Sequence, residues 1–165
     1  MNHIPFRASV FRPQNTAVSN FSRTVESPVE INVLEMVQQV CRPFESEFKQ
    51  QQVELSLDVD NELRGVFRPQ LTQEVLSHLI EDSLNAMPDG GQLDVIAVMS
   101  PTGIEIEVSD SSFTFEGSIN PQSHAAKWQR ISAEFGLQID TMLCPQGGLA
   151  RTLILPWSNR SRVAA

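Results

Sequence analysis

Apolar residues recur along this chain at two periods. Leu76, Leu79, Ile80, Leu84 and Met87 are spaced three and four apart, as on the core-facing side of a helix. The run predicts a helix from Pro69, a residue suited to a first helical turn, to Met87, where Pro88-Asp-Gly-Gly91 stops it. Val53-Glu-Leu-Ser-Leu-Asp-Val59 instead alternates apolar and polar residues, the mark of a half-buried strand. Leu93 to Met99 and Ile104 to Val108 predict a hairpin around Ser100-Pro-Thr-Gly103. Leu137 to Leu143 and Leu149 to Leu155 predict another around Pro145-Gln-Gly-Gly148. Val33 to Gln50 reads as a helix bent or interrupted at Pro43, with Ile31 opening a short strand or cap ahead of it. His124 to Phe135 reads as a helix ended by Gly136, and Asn61 to Pro69 as a connector. Together these elements predict an α+β fold, a two-layer α/β sandwich. Its sheet is mixed and mostly antiparallel, with helices over one face.

The periodicity fails at both ends. Residues 1–28 mix Pro, Asn, Ser and Thr with isolated Phe6, Phe11 and Phe21, and are expected to form a disordered or loosely docked arm. Residues 29–157 are expected to be the domain and 158–165 a flexible tail. A length of 165 residues with 41% hydrophobic content supports a single core.

The net charge of -8 is unevenly spread. The arm holds Arg7, Arg12 and Arg23 against Glu26, and the tail adds Arg160 and Arg162 without an acid. The acidic body carries no basic patch for a nucleic-acid backbone, so no nucleic-acid partner is expected. The arginine-bearing ends are either passive and solubilising or contacts for an acidic partner. No apolar run reaches membrane length, and no signal peptide opens the chain, so no membrane association is expected. Cys41 and Cys144 are far apart without a CxxC pairing, and read as buried thiols of a reducing, cytoplasmic compartment.

Candidate chemistry lies on the polar side of the Pro69–Met87 helix. His78, Asp82 and Asn85 fall at i, i+4 and i+7, on one stripe. A solvated helix face looks the same, with Asp82 exposed and His78 paired to Glu74 or Asp82. The run His78-Leu-Ile-Glu-Asp82-Ser-Leu-Asn85-Ala-Met-Pro-Asp-Gly-Gly91, however, resembles the N box of the ATPase domain of sensor histidine kinases. The resemblance extends over about residues 29 to 157. Ile31 to Val37 and Phe44 to Leu57 look like that family's first helix and following strand, and Gly103 to Asp110 like the strand that ends in its adenine-binding aspartate. Ile131 to Ile139 and Gly147 to Pro156 look like its last helix and closing hairpin.

The resemblance implies roles. His78, at the first N-box position, would orient or activate the attacking group, and imidazole can accept a proton near neutral pH. Asp82, at the second, would hold the magnesium that neutralises the ATP phosphates; a carboxylate is a suitable hard ligand. Asn85 stands where the family places a phosphate-touching side chain. Asp110 would accept a hydrogen bond from the adenine amino group, with Ser112 beside it in the nucleotide site.

The chain also departs from the family pattern. Ser112 and Thr114 fill both glycine positions of the Asp-x-Gly-x-Gly box, and Phe113 and Phe115 are bulky enough to fill an adenine pocket. Gln122-Ser-His124-Ala125 replaces the second glycine run, leaving a shortened lid, Ser111 to Gln122, and a helix start that Ser123 could cap. No lysine or arginine stands at a matched phosphate position. The chain is also short for the dimerising hairpin that carries a phosphoacceptor histidine, and His3 lacks helical context. Three readings stand open: a catalytically degenerate domain that regulates or binds a signalling protein, a divergent binder of ATP and magnesium, and an adaptor that docks a partner through its helices. The lost glycines favour the first, for which no cofactor is expected.

Overall fold

Strands β2 (Val53–Val59), β4 (Gly91–Met99), β5 (Gly103–Asp110), β7 (Leu149–Pro156) and β6 (Gln138–Leu143) lie side by side in that order in the main sheet. The computed structural model describes residues 26–112, 121–145 and 147–157, and among these the side chains of 121–125 and 134–135 are excepted. Only β2 and β4 run parallel, with Val53 opposite Gly91 and Val59 opposite Ala97. All other neighbours are antiparallel. The sheet is therefore mixed and mostly antiparallel, as the alternation and turn residues predict.

Helices α1 (Val33–Cys41), α2 (Glu45–Gln51), α3 (Pro69–Ala86) and α4 (Pro121–Phe135) supply the second layer. Val33, Met36 and Val37 of α1 and Leu76, Leu79, Ile80 and Leu84 of α3 are at most 2% exposed, as are the inward strand residues Leu93, Val95, Ile106, Val108 and Leu153. Trp128 of α4 joins this core with no exposed surface. Burying one such side chain stabilises the fold by roughly 1.5–3 kcal/mol, so the apolar period of α3 decides which way the helix faces.

Local chemistry sets the helix limits. Pro43 breaks the first helix: a 3₁₀ turn at Arg42–Phe44 separates α1 from α2. Asn32 caps α1 by accepting a hydrogen bond from Glu35 N at 2.9 Å, while its Nδ2 donates to Asn61 O at 2.6 Å. Gln52 ends α2 in the left-handed region, at φ 58°. Arg68 offers α3 no side-chain cap. That role falls to Glu26, whose carboxylate accepts from Gln70 N at 2.9 and 3.1 Å and from Leu71 N at 3.3 Å.

The segment read as a connector contains a further strand. β3 (Arg64–Phe67) pairs antiparallel with β1 (Val29–Asn32) in a separate two-stranded sheet. Its four residues are too few to show a period. Gly65 is needed for close packing, since a Cβ there would meet Ile104 Cδ1 at 2.5 Å. α4 also begins at Pro121, ahead of the expected His124.

Candidate functional site

Asp110 closes β5 in the same phase as Ile104, Ile106 and Val108, so its carboxylate points into the core. Arg151 lies in the core phase of β7, between Leu149 and Leu153, and is 1% exposed. Val108 is opposite Arg151, so the two charged side chains meet diagonally beneath the helices. Arg151 Nη2 donates to Asp110 Oδ2 at 2.5 Å and to Ser83 Oγ at 2.5 Å. Ser83, buried on α3, donates to the same Asp110 oxygen at 3.1 Å.

The other Asp110 oxygen is equally engaged. Oδ1 accepts from Ser112 Oγ at 2.5 Å, Ser112 N at 3.2 Å and Leu149 N at 3.3 Å. A carboxylate offers about four lone-pair sites, so these five internal donors saturate it. The Leu149 contact depends on Gly148, at φ 90°, where a Cβ would collide with the backbone carbonyl of Asp110. Burial pushes the Arg151 guanidinium below its ordinary pKa, while the charges of Asp110, then Asp82 and then Cys144, push it back up.

Asp82 neighbours Ser83 on α3, and its side chain is 19% exposed. Lys127 of α4 grips both of its oxygens, at 2.8 and 2.7 Å. The same ammonium lies 5.0 Å from the centroid of the Trp128 ring. One lysine thus ties α4 to α3.

The rest of the stripe is at the surface. His78 Nδ1 lies 3.4 Å from Glu81 Oε2, the acid one turn further on. Asn85 is exposed. The structure bonds Asp110 directly to Ser112, and also to Ser83 and Arg151, which sequence reasoning missed. It joins Asp82 to Lys127, also missed, and sets His78 beside Glu81. Thr114, Phe113, Phe115 and most of the expected lid lie outside the described residues, as do the side chains of Gln122, Ser123 and His124. Both cysteines are free, with Cys41 buried and Cys144 half-buried in the β6–β7 turn. Among the described residues no group of three or more His, Cys, Asp and Glu is placed to hold a metal ion, and no helix is long and apolar enough to cross a membrane.

No family profile and no curated protein matches the chain. Solved structures do. The catalytic domain of histidine kinase ThkA, in a nucleotide-free form, superposes with a TM-score of 0.66 at 17% identity, covering 82% of this chain and 99% of that one. The Acinetobacter baumannii histidine kinase AdeS gives 0.65 at 15% identity, over 81% of this chain and 69% of its own. The ATP-binding domain of PrrB from Mycobacterium tuberculosis gives 0.58 at 16%, over 81% and 100%. Element order, sheet topology and these superpositions agree: the chain has the fold of the histidine-kinase-type ATPase domain.

Proposed function

We propose that this chain is a histidine-kinase-type ATPase fold turned to regulation or partner binding in signal transduction, with its nucleotide site given over to internal contacts. The observation that carries the reading is the saturation of Asp110. An adenine amino group would need a lone pair that Arg151, Ser83, Ser112 and Leu149 N already occupy. The Lys127 pair with Asp82 supports it further, because a magnesium ion would have to displace a bidentate ammonium.

A fold kept without its ligand points to a protein that reads its surface. One structural neighbour is histidine kinase ThkA in complex with a response regulator protein, and a signalling protein is the class of partner proposed here. Soluble, cytoplasmic residence goes with the same reading.

A nucleotide titration by thermal shift, with and without magnesium, tests it. ATP at ~100 times its dissociation constant would stabilise a binder by about 2.7 kcal/mol. The expected result is an unchanged Tm at millimolar ATP. A clear magnesium-dependent rise would overturn the reading and favour a divergent ATP-binding domain.

A further inference from the structure

Alternation divides each strand of the main sheet between two faces. The inward side chains pack under the helices. The outward ones are exposed or half-buried apart from Ala150, and they include six carboxylates: Glu54, Asp58, Asp94, Glu105, Glu107 and Asp140. The five strands contain a single basic residue, Arg151, and it points inward.

Register sets these acids among apolar neighbours. One row across the sheet reads Asp58, Ile96, Glu107, Thr152, Asp140, and the next reads Val98, Glu105, Ile154, Gln138. Val98 is 49% exposed and Met142, further along β6, is 66% exposed. This face would suit a segment that alternates aromatic and cationic side chains. Both attractions would act together, apolar burial and charge complementarity.

The chain contains such a segment. All twenty Asp and Glu lie within residues 26–157, whereas residues 1–25 hold Arg7, Arg12 and Arg23, no acid, and the pairs Phe6-Arg7 and Phe11-Arg12 followed by Phe21. Its attachment point also fits. Glu26 is held on the first turn of α3. Ser83, near the other end of that helix, reaches Asp110, so Glu26 lies toward the opposite end of the sheet. There the β1–β3 sheet packs against Ile104, and exposed Val98 and Met99 end β4. Twenty-five residues can extend about 80 Å, while five strands span roughly 20 Å, so reach is not limiting. A tethered segment also meets the face at an effective concentration of roughly millimolar, so weak contacts suffice.

We infer that residues 1–25 dock on the acidic outer face of their own main sheet, with the three arginines against its carboxylates and the phenylalanines between them. The inference holds whether or not the chain binds nucleotide. It makes the outer face a covered surface, which a second protein reaches only by displacing the arm.

The test uses the full-length chain, labelled for amide NMR. Comparing the native chain with R7Q/R12Q/R23Q should shift amides on the outward rows around Ile96, Glu107 and Thr152 and leave α1 and α3 unmoved. In E105Q/E107Q, whose arm is intact, trypsin should cut after Arg7, which precedes Ala8, several-fold faster than in the native chain. The native protection should also weaken in about 0.5 M salt, where the Debye length is roughly 4 Å. Unmoved strand amides, shifts confined to the helical layer, or equal cleavage rates would overturn the proposal. Shifts that vanish on dilution would overturn it too, by giving the arm to a second copy.

Discussion

Arg151 and Asp110 form an ion pair in the interior, their side chains 2% and 0% exposed, with Ser83 bonded to both. Such a pair sits on a steep energy surface. Removing one partner strands a buried charge, whereas replacing both with apolar or neutral groups of similar shape is close to neutral. Arg151→Met alone is expected to cost roughly 3–5 kcal/mol in denaturant unfolding, and Arg151→Met with Asp110→Asn clearly less. Additive losses in the double variant would show that the pair is not the coupled unit described here.

The Lys127–Asp82 pair should behave differently. Lys127 is 44% exposed, so water screens the interaction, and Lys127→Ala or Asp82→Asn is expected to change stability by about 1 kcal/mol or less. Leu79→Ala, on the buried side of the same helix, should cost roughly 2–5 kcal/mol. Comparable effects at Asp82 and Leu79 would contradict the orientation of α3.

Cys41 provides a pH signature. Burial raises its thiol pKa from 9.0 to about 11, so the folded chain holds this proton more tightly than the unfolded chain. The associated stability is complete below pH 9 and is lost as pH rises through the folded value. A loss on the order of 2 kcal/mol is expected between those limits. Cys41→Ala should lower stability at neutral pH and flatten this alkaline slope, as urea titrations at several pH values would reveal.

Gln52 occupies a backbone conformation that suits glycine, at φ 58° and ψ 40° after α2. Gln52→Gly should raise stability by up to about 1 kcal/mol, because the left-handed strain outweighs the added freedom of the unfolded chain. A lower Tm for this variant would mean that the Gln52 side chain makes a compensating contact.

Much of the layout was legible because apolar residues repeat at strand or helix spacing over long runs, as in Val53–Val59 and Leu76–Met87. β3 was not, since Arg64-Gly65-Val66-Phe67 is too short to repeat anything. The buried pair left a trace that went unread. Asp110 continues the inward phase of Ile104, Ile106 and Val108, and Arg151 that of Leu149, Leu153 and Leu155. An arginine in core phase needs a buried anion, and the matching aspartate ends the adjacent strand. Lys127 gave no such sign, because an exposed lysine on a polar helix face fits many partners. Only the packing of α4 beside α3 brings it to Asp82.

The borrowed cap on α3 bears on the order in which the chain folds. A helix with its own cap can begin from local sequence, but Gln70 and Leu71 wait for a carboxylate 44 and 45 residues earlier. Closing that loop costs chain entropy before the cap rewards it. The first turn of the central helix should therefore be among the last parts to become protected from hydrogen exchange during refolding. In the native state it should also be the turn most ready to open when Glu26 and the chain ahead of it are pulled away.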